Sequence, residues 1–166
     1  FSAVEPAQFE DFTIKEFDKL KAFQTYDEVV LWFEHDLFCQ INMIAIISWF
    51  APQNKGETKI SLVCLGELDN YEELVALGEI DSKYYHQLLA DRTVLQEEDF
   101  TVAQEAWTSY CADQPSQLLN LTINDTFLYL KPALAAHLKR FPSIKNGLNF
   151  IENNILQLAA DGEDNP

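Results

Sequence analysis

In residues 7–23 the apolar positions Phe9, Phe12, Phe17, Leu20 and Phe23 recur mostly at intervals of three to five, with Glu10, Asp11, Lys15, Lys19 and Lys21 between them. That spacing gathers the rings on one side of a 3.6-residue repeat and predicts an amphipathic helix. The period then changes. Glu28-Val29-Val30-Leu31-Trp32-Phe33 is short, β-branched and aromatic, and it gives way at once to Glu34-His35-Asp36. This is the pattern of a strand buried on both faces that stops at those polar residues. Asp36 stands where an N-cap belongs, ahead of a helix over 37–50. That helix is apolar almost all round and is expected to be sandwiched against a sheet. Residues 51–56 read as a turn, and Ile60-Ser61-Leu62-Val63-Cys64-Leu65, bounded by Gly66, repeats the buried-strand pattern. Strand, helix and strand together predict a right-handed βαβ unit with parallel strands.

After Gly66 the pattern predicts no further strand. Helical spacing or start signals mark 71–77, 82–90, 97–112, 115–121, 127–140 and 149–160, and Asn149 followed by Glu152 is a variant of the capping box. The tail 162–166 is expected to fray. The predicted fold class is α/β: a partial parallel sheet, the βαβ unit, followed by a mostly helical carboxyl-terminal half. Residues 1–112 form the α/β domain and 113–166 a helical subdomain. Two parallel strands leave unpaired edges that something must cover. The missing strands are therefore expected from outside these residues, either from a longer chain or from a partner.

Composition narrows the function classes. A chain of 166 residues, 48% hydrophobic, buries roughly 70% of its unfolded surface and needs no disulfide or metal staple. With 27 acidic against 11 basic side chains the formal charge is −16, which opposes a polyanion, so nucleic acid is not an expected partner. The three cysteines, Cys39, Cys64 and Cys111, are too far apart for a metal knuckle or redox pair and suggest reduced thiols in a cytoplasm. The longest apolar run, 37–50, contains Gln40 and Asn42 and falls short of the roughly 20 apolar residues that span a bilayer, so no membrane association is expected. The amino end lacks a basic stretch and cleavage site, but it begins with Phe1, and a preceding segment is expected. No glycine-rich phosphate loop, G-x-S-x-G elbow or paired-histidine spacing occurs, so the expected cofactor and metal content is none.

The stretch Val29-Val30-Leu31-Trp32-Phe33-Glu34-His35-Asp36-Leu37-Phe38-Cys39-Gln40-Ile41-Asn42, with Phe141-Pro142-Ser143-Ile144-Lys145-Asn146-Gly147-Leu148 and Glu152, resembles a bacterial family. It is the one catalogued as domain of unknown function eighteen-thirty-five, with its companion carboxyl-terminal domain. The match is specific in those two places and loose between them. The resemblance implies a longer protein whose earlier segment carries a strand ending in a Gly-Asp pair, and it implies no established activity. Where relatives usually show Ser or Thr ahead of the last helix, this chain has Asn149, which caps equally well.

Two places attract attention. In open parallel sheets ligands bind beyond the carboxyl ends of the strands, against helix N-termini. There His35 is a candidate general base or phosphate holder beside Asp36, with Glu34 and Gln40 facing the same space. A purely structural reading makes Asp36 a helix cap and gives His35 and Gln40 to neighbouring backbone groups. Cys39 lies in the first helical turn, where the dipole lowers a thiol pKa, although Asp36 opposes a thiolate. The second place is 126–151, which holds Lys131, Lys139, Arg140 and Lys145 and no acidic residue. Arg140 and Asn146 flank a turn suited to an anion, unless these cations simply pair with the acidic surface or cap a helix. The two last helices also have the outline of a helix-turn-helix, but 149–160 contains no Lys or Arg, which suits DNA poorly.

The leading expectation is binding of a small anionic or nucleotide-like ligand where His35, Asp36 and Gln40 meet Arg140 and Asn146. The competing expectation is a regulatory or interaction module whose carboxyl-terminal helices contact a protein partner. The residues point to binding and do not fix a reaction.

Overall fold

Helical turns follow one another without a break from Pro6 to Thr25: α1 (Pro6–Phe9), a π turn (Glu10–Ile14), α2 (Lys15–Lys19) and a 3-10 turn (Leu20–Thr25). The structure, a computed structural model, describes residues 6–162, so most of the tail expected to fray, 163–166, lies outside the described residues. The amphipathic spacing is realised, yet only Phe23 is buried, while Phe9, Phe12 and Phe17 stay exposed. Phe23 enters the core edge-on to Phe50, with ring centroids 5.1 Å apart.

β1 (Glu28–Glu34) and β2 (Lys59–Leu65) pair in parallel, from Glu28 opposite Lys59 to Glu34 opposite Leu65. Between them runs α3 (Leu37–Phe50), capped by Asp36, whose carboxylate accepts the N–H groups of Phe38 at 2.8 Å and Cys39 at 3.2 Å. α3 packs on β1 and against α5 (Glu97–Tyr110) and α6 (Leu130–Leu138). Its apolar circumference is explained by that enclosure.

Three expectations change. A further strand exists: β3 (Thr93–Val94) lies antiparallel to β2, opposite Ser61 and Leu62. Two residues are too few to show a period, so no pattern announced it. β2 is thus central in the order β1-β2-β3, and among the described residues no strand lies beyond β1. Second, 71–77 is not a helix. Val75, Ile80 and Leu65 form a small separate core, with Leu68, Tyr71 and Leu77 packed on it, and the segment follows those anchors as a loop, closed by the Val75 N–H on the Gly66 carbonyl at 2.8 Å. Third, 115–121 and 127–140 are not continuous α-helices. They are 3-10 turns at Pro115–Asn120 and Asp125–Phe127, followed by the shorter α6. The predicted helix over 82–90 is α4 (Tyr84–Ala90).

The main core joins Met43, Ile44, Ile47 and Phe50 to Ile60, Leu62, Phe100 and Ala103, and equally to Leu118, Phe127, Leu130 and Leu134. It therefore runs through residues on both sides of position 112. Trp49, Trp107 and Tyr110 pack half-buried against it. On the other face of β1, Arg92 grips Glu28 with two bonds, Nε to Oε1 at 2.7 Å and Nη2 to Oε2 at 2.8 Å, and Ser61 adds its hydroxyl. These partners, Arg92 first and then Ser61, hold the Glu28 carboxyl down at about 2.

α7 (Phe150–Ala160) stands apart. Its capping box is complete, with Asn149 accepting the Glu152 N–H at 2.9 Å and Glu152 accepting the Asn149 N–H at 2.7 Å. Yet it contributes no buried residue. Phe150, Ile151, Ile155 and Leu156 are each half exposed or more.

Candidate functional site

The carboxyl ends of β1 and β2 gather Glu34, His35, Asp36, Cys39, Gln40, Gly66 and Tyr129. Because α3 starts immediately after the strand, Gln40 lies one turn in and is fully buried. Its amide nitrogen donates to the Glu34 carbonyl at 2.7 Å and touches the Cys64 sulfur at 3.2 Å. The Glu34 carboxylate accepts the Leu77 N–H at 2.7 Å and so ties the loop after β2 to the end of β1. Burial opposes the charge of Asp36, but the thiol and N–H of Cys39, the Phe38 N–H and nearby His35 outweigh it and hold the carboxyl below its ordinary range. Asp36 and Gln40 thus do serve the backbone, as the structural reading of the sequence had them.

Cys39 is no thiolate. Burial first, then Asp36, pushes its thiol up to about 11, overriding the helix dipole. Glu34, Asp36 and Cys39 each place a donor atom within 4.8 Å of the others, but each carboxylate already receives a backbone N–H. Two atoms here have no partner: the buried Nδ1 of His35 and the buried Oε1 of Gln40. Buried polar atoms are rarely left so, and water or a ligand normally answers them. The His35 ring meets the Tyr129 ring edge-on at 6.1 Å.

The basic turn is built separately. Arg140 is exposed, follows the end of α6, and has no ion pair among the described residues. Asn146 braces the turn: its amide nitrogen donates to the Asn153 side chain at 2.7 Å and its oxygen accepts the Leu148 N–H at 3.2 Å. Gly147, at φ +74°, supplies the left-handed residue the turn needs. Phe150 is tied back by its N–H to the Lys139 carbonyl at 3.0 Å and by the Lys139 ammonium, 5.0 Å over its ring. His137 lies between Tyr110 and Phe141, at 4.8 and 5.3 Å between centroids. Burial and then Arg140 lower its pKa.

The structure brings His35, Asp36, Glu34 and Gln40 together at the end of β1 and start of α3, whereas Arg140 and Asn146 lie in the segment between α6 and α7. Tyr129, the residue capping the start of α6, touches His35, whereas Arg140 follows the last turn of α6. At a helical rise of 1.5 Å per residue, that separation is roughly 16 Å. No family model, curated protein or solved structure matches the chain. The site is therefore read from its own chemistry. Among the described residues no helix is long and apolar enough to cross a membrane.

One feature of interest escaped the sequence reading. The loop after β2 curls around an open surface concavity of about 770 Å³ lined by Glu67, Asp69, Glu72 and Glu73 together with Tyr71 and Leu74. The absence of any Lys or Arg from 66–82 was the available signal, masked by the expectation of a helix there.

Proposed function

We propose that the protein is a docking module that engages an acidic, amphipathic protein partner through the bare face of α7 and the acid-free stretch before it. The observation that carries this reading is α7 itself. An isolated helix of 11 residues is marginal in water, and helices in proteins owe their stability mainly to the packing of an apolar face. α7 is capped and tied at its start, yet Ile151, Ile155 and Leu156 meet nothing that buries them.

Charge supports the same face. Of the 11 cationic side chains, Lys15, Lys19, Lys21, Lys55, Lys83 and Arg92 form ion pairs, and Lys59, Lys131, Lys139, Arg140 and Lys145 form none among the described residues. In a chain with so many carboxylates, the unpaired Lys139, Arg140 and Lys145 just ahead of an unmatched apolar helix favour a partner that brings both acid and apolar groups. The test is fluorescence anisotropy with a synthetic helical peptide carrying a Leu/Ile face and Glu elsewhere. Binding that disappears in the Ile151→Asp, Ile155→Asp double variant supports the reading. No binding, or binding unchanged by that variant, ends it.

A second reading has its own observation. The unpartnered Nδ1 of His35 and Oε1 of Gln40 favour a small ligand at the strand ends, held by His35 and Gln40 beside Asp36. Glu34 and Asp36 make that place rich in acceptors, so a ligand with donors fits it better than a bare anion. Thermal stabilisation by a nucleoside such as adenosine, lost in His35→Ala, supports this reading; no shift removes it.

A further inference from the structure

We infer that the partner of the α7 end is a second copy of this chain, which receives the basic turn in the acidic concavity of the 66–82 loop. This rests on the docking reading above and names its partner. The two surfaces are complementary in kind. The loop presents Glu67, Asp69, Glu72 and Glu73 around its open concavity, with exposed Leu74 and half-buried Tyr71 between them. All four carboxylates are exposed and none has an ion pair among the described residues. The turn presents Lys139, Arg140 and Lys145, interleaved with Phe141 and the fully exposed Ile144. Acid and apolar groups alternate on one side, cation and apolar groups on the other.

Within one molecule the two surfaces are attached at opposite ends of α6. The acidic loop is pinned at the start of α6, where the Glu67 N–H donates to the Tyr129 hydroxyl at 2.8 Å. The cations lie beyond the far end of the same helix, roughly 16 Å away by helical rise. At physiological ionic strength the Debye length is about 8 Å, so the loop does not neutralise its own turn. Two copies with their α6 helices antiparallel place each basic turn against the other's acidic loop. The arrangement is isologous and closes as a twofold dimer, with both charge matches made at once. The net charge of −16 per chain opposes association, and screening at physiological ionic strength weakens that repulsion beyond a Debye length of about 8 Å, whereas opposite charges in contact are screened much less.

The experiment is sedimentation velocity on the intact chain and on two charge-reversal variants, Arg140→Glu, Lys145→Glu and Glu72→Lys, Glu73→Lys. All four positions are exposed, and circular dichroism checks that each variant folds. The expected result is concentration-dependent dimerisation of the wild type, weakened about ten-fold or more in either variant alone. An equimolar mixture of the two variants is expected to dimerise again, since each reversed surface then faces its complement. Wild-type association that neither variant weakens, or variants that stay apart on mixing, overturns the inference. A monomeric wild type overturns it too. If that monomer still binds the acidic helical peptide through Ile151 and Ile155, only the choice of partner fails; if it binds neither, the docking reading fails with it. A monomer that sediments with phosphatidylserine vesicles, and no longer does after Arg140→Glu, assigns the face to lipid and also overturns the inference.

Discussion

The phenol of Tyr129 lies directly over the backbone of Gly66, where a Cβ would fall inside its ring, and its hydroxyl accepts the N–H of Glu67 at 2.8 Å. One contact thus fixes the end of β2, the start of the acidic loop and the start of α6. Gly66→Ala is expected to displace the phenol and lower unfolding free energy by about 1–3 kcal/mol, the range of overpacking in a close contact. Tyr129→Phe removes only the hydrogen bond and is expected to cost about 1 kcal/mol. Urea denaturation of the two variants separates the effects; equal losses count against the steric account.

The Glu28 carboxyl is held down at about 2, below its ordinary 4.5, by Arg92 and Ser61. A depressed folded-state pKa contributes stability above the unfolded value, and that stability is lost as pH falls through the folded value. The contribution of Glu28 is therefore complete above about pH 4.5 and fades between there and about pH 2. The melting temperature of Glu28→Gln is expected below that of the wild type at pH 6, with the gap narrowing on acidification. A gap constant down to pH 2 contradicts the pairing.

At neutral pH the Cys39 thiol, raised to about 11, is protonated and slow to alkylate. Iodoacetamide is expected to label exposed Cys111 first in the native protein and Cys39 only after denaturation. Asp36→Asn removes the nearby charge and is expected to speed Cys39 labelling, read by peptide mass spectrometry. Fast labelling of native Cys39 refutes this account of the site.

Two helix caps of similar chemistry are expected to differ in their reach. Asp36→Ala uncaps α3, which is buried in the core, and is expected to lower global stability by about 1 kcal/mol. Asn149→Ala uncaps α7, which buries nothing. It is expected to cost helical content by circular dichroism while leaving the urea midpoint of the core unchanged. A matching shift in both variants means that α7 is packed on the body.

Where a segment is enclosed, its pattern of residues told its structure. Glu28 to Phe50 was legible because a β-branched run, an acidic cap and an all-round apolar helix all agree with burial on every side. Tyr71 to Leu77 misled because its apolar residues answer to Leu65 and Ile80 and not to a helical face. β3 was invisible because two residues have no period. For the site, the grouping of Glu34, His35, Asp36 and Gln40 follows from a helix that starts straight after a strand, and local spacing revealed it. The separation of His35 from Arg140 depends on the orientation of α6, which no local pattern encodes.

The shared core has a consequence for the integrity of the chain. Leu118, Phe127, Leu130 and Leu134 plug into the layer formed by Met43, Ile44 and Phe50, so a peptide-bond scission in the link between α5 and the Pro115 turn would not release the last third of the molecule. The two fragments would stay clasped through buried side chains and migrate as one until denatured, and only the tip bearing α7 would be shed by a cut of its own.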